Sequence, residues 1–229
     1  ALPAAIAAAI LGAYAELGAP PVAVRSSAIA EDLPGLSFAG QQETLLDVRG
    51  DDALLAAVRR CWASLWTARA LAYRRRMGVD ERGERVAMAV VIQPMVAAEA
   101  AGVLFTANPT TGERGEAVVN AAHGLGEAVV AGTVTPDTIV VDKATSTARS
   151  FVPGDGNGDG NDVTGGRPVL TDAAVGDLVA LGRRVEAHAG GVPQDIEWAI
   201  AGGRLWLLQA RPITALPPAP LENVRWEPP

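Results

Sequence analysis

Near its C-terminal end the chain runs Asp195-Ile196-Glu197-Trp198-Ala199-Ile200, then Ala201-Gly202-Gly203, then Arg204-Leu205-Trp206-Leu207-Leu208-Gln209-Ala210-Arg211. Carboxylates, a carboxamide and a guanidinium fall on odd-numbered positions, the period at which side chains of a strand share a face. Such a set has two uses. Glu197 and Gln209 can offer hard oxygen donors to a divalent cation such as Mg²⁺, while Arg211 meets phosphates that the cation bridges. The same groups can instead form a structural ion pair between Glu197 and Arg211. Either way, charges on a half-apolar surface are desolvated, and a ligand or a counter-charge has to offset that cost.

The element that must hold these groups is a hairpin with period-two alternation on both sides and two glycines available for its turn. With Ala201 to Gly203 as a three-residue loop, Ile200 pairs with Arg204, Trp198 faces Trp206 and Ile196 faces Leu208. One face is then dry. The other collects Asp195, Glu197, Gln209 and Arg211 among Ala199, Leu205 and Leu207. A second segment, residues 24–46, offers Arg25 at the end of a short strand (Val22 to Val24), then Gly40 and Thr44 in a polar loop. Glycine lets backbone approach phosphate oxygens closely, and hydroxyl and amide donors complete such a cradle. No Gly-Lys-Ser/Thr occurs, so this is not a Walker loop. Gln93-Pro94-Met95-Val96 ends another strand, whose backbone groups could meet an adenine.

Composition narrows the classes of function. The chain has 229 residues, 49% hydrophobic and 20% charged, which is enough to bury a core and too apolar for disorder. Its 19 basic and 26 acidic residues leave a formal charge of −7, which argues against nucleic acid and anionic membranes as partners. The run Arg74-Arg75-Arg76 ends a helical pattern, where cations complement the helix dipole. Cys61 is the only cysteine, which excludes a disulfide framework and paired-cysteine zinc sites and points to a reducing, cytoplasmic setting. The stretch Leu2 to Leu17 is apolar but has no basic segment before it and contains Glu16. Leu2, Ile6, Ile10 and Tyr14 read as one face of an amphipathic helix, not as a signal peptide or membrane span. Because the chain starts at Ala1 inside an apparent helix, a fragment is expected.

The remaining pattern is α+β. From Ala53 to about Met77 the residues Leu54, Val58, Cys61, Trp62, Leu65 and Trp66 recur at helical spacing, predicting one long helix ended by Gly78. Arg69 falls on that stripe and either finds a carboxylate or snorkels to solvent. Strands are expected over residues 86–93, Gly102 to Thr106, Ala117 to Asn120 and Thr138 to Asp142, the last two in an antiparallel sheet. Residues 154–166 form a polar loop whose Asp155, Asn157, Asp159 and Gly160 open like an EF-hand. Gly166 stands where the bidentate glutamate belongs, so a surface insertion is the reading. A helix from Asp172 to about His188 precedes the hairpin.

Taken in order, VRSSAIAEDLPGLSFAGQQET, CWASLWTARALAYRRRMG, IQPMV, GVLFTANPTTG, HGLGEAVVAGTVTPD, DIEWAI and LWLLQARPIT resemble the nucleotide-binding domain of the phosphoenolpyruvate synthase, pyruvate phosphate dikinase and rifampicin phosphotransferase family. The resemblance covers nearly all of residues 20–215. It implies an ATP-grasp fold, in which two α+β lobes hold ATP between them, and transfer of a phosphoryl group from ATP to a histidine on a separate swivelling domain. Residues 1–214 would be a partial ATP-grasp domain lacking most of its lysine-bearing N-terminal lobe, and residues 215–229 a proline-rich linker. By position in the motifs, the nucleotide contacts implied are Arg25, Gly40, Thr44, Gln93, Glu197, Gln209 and Arg211. Arg25 and Arg211 would neutralise phosphate, Gly40 and Thr44 line its cradle, Gln93 lie beside adenine, and Glu197 and Gln209 hold Mg²⁺. Glu127 is a lesser candidate for the pocket wall. The cofactors implied are ATP and Mg²⁺. The partners implied are the missing lobe and a phosphohistidine domain of the same protein.

Two departures follow from the same comparison. The family's phosphate-contacting lysine sits in a glycine-rich segment that nothing here matches, and Lys143, the sole lysine, lies in a strand-turn context. His123 and His188 are not in the threonine-x-histidine setting of the phosphohistidine domain and are read as surface or packing residues. The expectation is therefore an enzyme only as part of a longer protein, inactive as this chain. FTANPTTG (105–112) and ARPIT (210–214) look closer to the rifampicin phosphotransferase branch. The alternatives are a fragment of phosphoenolpyruvate synthase, acting on ATP, pyruvate and water, and a non-catalytic nucleotide-binding or docking remnant.

Overall fold

The computed structural model describes residues 2–28, 44–76, 87–126, 129, 132–154, 168–213 and 216–217. The chain divides into two compact units, Ala1–Met95 and Val96–Pro229. Both are α+β with antiparallel sheets.

The first unit contains α1 (Ala4–Glu16), β1 (Val22–Ala28), β2 (Thr44–Val48), α2 (Asp51–Ser64), α3 (Ala68–Arg76) and β3 (Met88–Pro94). Its sheet runs in the order β2-β1-β3. Val22 and Val24 of β1 pack with Leu54, Val58 and Cys61 of α2 and with Tyr14 of α1. Fully burying a side chain such as Leu54 or Val58 contributes about 1.5–3 kcal/mol. The apolar stripe of α1 is narrower than its spacing predicts: only Tyr14 is buried, and its hydroxyl donates to the carbonyl of Pro20 at 2.9 Å.

Two expectations for this unit are corrected. The long helix from Ala53 is two helices. At the junction the Ser64 hydroxyl donates to the carbonyl of Cys61 at 2.6 Å, and Thr67 Oγ1 donates to that of Ser64 while accepting from the Ala70 amide. These bonds end one helix and cap the next, as hydroxyl side chains do when they compete with the helical ladder. Trp66, expected on the buried stripe, lies at that break and is 57% exposed. Thr44, expected in a loop, begins a strand. Gly78 and the side chain of Arg69 lie outside the described residues.

The second unit contains β4 (Ala100–Phe105), β5 (Glu116–His123), β6 (Asp137–Asp142), β7 (Ala148–Val152), α4 (Asp172–His188), β8 (Gln194–Ala201) and β9 (Arg204–Pro212). The sheet order is β7-β6-β5-β4-β8-β9. One face, bearing Leu104, Val119, Ile139, Val141, Ile196 and Trp198, is covered by Val175, Leu178 and Val179 of α4. The helix starts at Thr171, whose hydroxyl accepts from the Ala174 amide. It comes close enough to the sheet that a Cβ on Gly182 would meet Leu104 Cδ2 at 2.8 Å. Strand β7 was not anticipated. Its five residues are all exposed, so they carry no alternation to read. Residues 155–167, which include the EF-hand-like run, are outside the described residues, as are 214–215 and 218–229. No helix among the described residues is long and apolar enough to cross a membrane.

Candidate functional site

The turn between β8 and β9 has two residues, not three. Gly202 and Gly203 have φ values of 57° and 69°, the left-handed pair of a type I′ turn, whose twist suits a hairpin. Ala201 therefore pairs with Arg204, Ile200 with Leu205, Ala199 with Trp206 and Trp198 with Leu207. The register then shifts, passing over Leu208, and Glu197 pairs with Gln209, Ile196 with Ala210 and Asp195 with Arg211. The extra residue is a β-bulge. It corrects the expected register: Trp198 does not face Trp206, and Ile196 does not face Leu208. Leu205 packs with the core beside Ile200 instead of sharing the polar face. Leu207 is likewise paired on the Trp198 side.

The central expectation nonetheless holds, by a different route. Directly opposed residues of an antiparallel pair share a face. Glu197 with Gln209, and Asp195 with Arg211, therefore form two adjacent cross-strand pairs on the face opposite α4. The row continues inward, since Val103 pairs with both Glu197 and Asn120, and Asn120 pairs with Thr138, whose hydroxyl lies 3.0 Å from the Asn120 amide oxygen. Toward the turn, Trp206 joins the same face through Ala199, and the Arg204 guanidinium stacks 4.3 Å from its ring centroid.

Within the quartet Arg211 and Asp195 form an ion pair. Arg211 Nε donates to Oδ2 of Asp195 at 2.9 Å and Nη2 lies 2.8 Å from the same oxygen, with the side chains 30% and 14% exposed. The residue directly opposed to Arg211, and ion-paired with it, is Asp195. Burial pushes the Asp195 carboxyl above its ordinary range, Arg211 pulls it down, and the neighbouring charge of Glu197 adds to the rise. Among the described residues no three His, Cys, Asp or Glu cluster as a metal cage. A carboxylate and a carboxamide side by side fit the few protein ligands of Mg²⁺, which keeps waters and phosphate oxygens in its remaining positions.

In the first unit Arg25 pairs with Thr44 on β2 and Val91 on β3, and Ala23 pairs with Gln93. Arg25, Thr44 and Gln93 therefore share one face of their sheet, opposite the face whose Val22 and Val24 enter the core. Each unit, taken separately, thus gathers its candidate residues on the sheet face turned from its helix-packed core. Gly40 and Glu127 lie outside the described residues. Lys143 is committed elsewhere: its Nζ donates to the Thr106 carbonyl at 2.7 Å and to both oxygens of Glu186 at 3.0 and 2.8 Å. His123 and His188 are exposed, at the ends of β5 and α4. Asp195 and Asn120 were given no role from sequence; only the cross-strand register reveals them as neighbours of the predicted set.

Comparison with known proteins bears on the whole chain. Residues 1–226 match the family model described as pyruvate phosphate dikinase, AMP/ATP-binding domain. A rifampicin phosphotransferase from a Streptomyces species is 49% identical over 231 residues, covering 96% of this chain and 26% of that protein. A probable phosphoenolpyruvate synthase from Methanothermobacter thermautotrophicus is 49% identical over 207 residues, covering 85% of this chain and 30% of that protein. A phosphoenolpyruvate synthase from Pyrococcus furiosus is 47% identical over 217 residues, covering 85% and 26%. The chain spans under a third of the length of these relatives.

Proposed function

This chain belongs to the pyruvate phosphate dikinase AMP/ATP-binding domain family, and on that premise we propose that it is the ATP-binding part of a dikinase of the rifampicin phosphotransferase type. In this reading the longer protein passes a phosphoryl group from ATP, by way of a histidine on another domain, to a small-molecule acceptor. Residues 1–214 are the partial ATP-grasp domain, and the stretch 215–229 links it onward. The observation that carries the reading is the pair of cross-strand pairs, Glu197 with Gln209 and Asp195 with Arg211, on one sheet face.

Glu197 and Gln209 would hold Mg²⁺, which when bound supplies charge neutralisation at the phosphates. By the family resemblance, Arg211 in the second unit and Arg25 in the first would each be a phosphate contact, and Thr44 and Gly40 would be phosphate-cradle residues. Gln93 lies beside the adenine. None of these groups forms a covalent bond; they orient the phosphates for in-line transfer and balance the charge that develops. The commitment of Lys143 to Glu186 and Thr106 supports the further reading that this chain alone turns over nothing, because its single lysine is engaged in structure. Calorimetry with ATP, with and without Mg²⁺, on the protein as encoded tests the proposal. Mg²⁺-dependent binding lost in Glu197→Ala supports it, and binding indifferent to Mg²⁺ and to that substitution overturns it.

The second reading, phosphoenolpyruvate synthase, is favoured by relatives of that name at nearly the same identity. Assay of the full-length protein with ATP and either a rifamycin or pyruvate separates the two by which acceptor gains phosphate.

A further inference from the structure

Resting on the nucleotide-binding reading, we propose that Asp195 is a positioning residue that fixes the guanidinium of Arg211 and acts on the nucleotide through that side chain alone. The geometry is specific. Asp195 and Arg211 are directly opposed on β8 and β9, and Nε and Nη2 converge on the single oxygen Oδ2. A hydrogen bond from Nε, with Nη2 drawn to the same oxygen, restricts how the guanidinium can swing, and with it the direction of its remaining N–H groups. A flexible arginine at the end of three methylenes would otherwise lose side-chain entropy on meeting a phosphate; one already held has less to lose.

The placement of the carboxylate supports a functional purpose. Asp195 is 14% exposed and shares its sheet face with Glu197 and Gln209, so the contact that holds Arg211 is sheltered from water on the face that carries the candidate residues. The competing role, in which Asp195 itself touches metal or nucleotide, makes a different prediction, because its effect would persist without Arg211.

A double-mutant cycle on the protein as encoded decides between them. Binding of ATP is measured by calorimetry at saturating Mg²⁺, the Mg²⁺ midpoint is titrated separately, and circular dichroism melts check the fold. Asp195→Ala is expected to weaken ATP binding on the order of tenfold with an unchanged Mg²⁺ midpoint, and to cost less than about twofold once Arg211→Ala is present. Losses that multiply, or a Mg²⁺ midpoint that moves in Asp195→Ala, overturn the proposal. Asp195→Asn keeps the shape and one acceptor oxygen and serves the same cycle if the alanine variant does not fold. A wild-type protein that binds no ATP with Mg²⁺ overturns the nucleotide-binding reading underneath, a result distinct from an additive cycle.

Discussion

Gly102 lies against the indole of Trp198. The two are cross-strand partners on β4 and β8, and a Cβ on Gly102 would come 3.0 Å from Trp198 Cζ2 and would collide with the carbonyl oxygen of Asn120. Neither obstacle can move cheaply, since one is backbone of β5 and the other a fully buried ring. Gly102→Ala should therefore destabilise the second unit by about 1–3 kcal/mol or more, as overpacking of a close-packed core does. The check is a denaturant midpoint, with Gly112→Ala unsuitable as control because its φ of 79° brings strain of its own.

Lys143 closes the opposite corner of the same sheet. Its ammonium ties the end of β6 to Glu186 on α4 and to the carbonyl of Thr106, with both charged side chains under a fifth exposed. Lys143→Met keeps the stem and leaves Glu186 and that carbonyl short of a donor, so stability should fall by about 1–3 kcal/mol. ATP affinity, measured well below the melting temperature, should stay as in wild type. A large loss of affinity at full folding would make Lys143 a phosphate ligand after all.

The parts of this architecture that depend on one residue's periodicity were legible in the sequence; the parts that depend on a count were not. Alternation along 195–200 and 204–211 revealed two strands and their polar members. The bulge at Leu208 left no trace, because a second leucine beside Leu207 only lengthens an apolar run and does not mark where the register shifts. A three-residue loop makes the odd positions coincide directly; the two-residue turn and the bulge together reach the same result. The long-helix reading failed for a related reason: Leu65 and Trp66 keep the apolar spacing, while Ser64 and Thr67 redirect the backbone through hydroxyl hydrogen bonds. Thr44 was hidden as a strand residue by the polar run before it, and its pairing with Arg25 is a long-range contact no local pattern encodes.

The corner holding Asp142 should govern part of the acid response. Hydrogen bonds from Arg149 and from the Thr145 and Ala144 backbone lower its pKa from 3.8 to about 2. A folded-state value below the unfolded one gives stability that is present above the unfolded pKa and lost as pH falls from about 4 toward 2. Acid titration of the melting temperature should show that loss, and Asp142→Asn should flatten the slope in this window.

Asp195 should act with the opposite sign. Its folded-state pKa is raised, chiefly by burial, so the native state holds the proton more firmly than the unfolded chain. Its unfavourable contribution is absent below the unfolded pKa and grows as pH rises toward and through the folded one. Asp195→Asn removes the titrating charge and should raise the melting temperature at neutral pH relative to acid, even where it weakens ATP binding. That trade of stability against binding is expected where a site is built from strained electrostatics.

The turn gives the last test, because it sets the register on which every cross-strand pair depends. Both central residues are glycines in the left-handed region, and a type I′ turn accepts asparagine at its first position and prefers glycine at its second. Gly202→Asn should leave the melting temperature within a degree or two of wild type. Gly203→Val forces a β-branched residue to a φ of 69°, at a cost of about 1–2 kcal/mol if the turn survives. If the chain relieves that strain by widening the loop to three residues, the register on the turn side of the bulge shifts by one. Ile200 would then face Arg204 in place of Leu205. Amide exchange across β8 and β9 distinguishes a strained turn, in which protection falls uniformly, from a slipped one, in which Ile200 and Trp198 exchange protection with their neighbours while α4 stays unchanged.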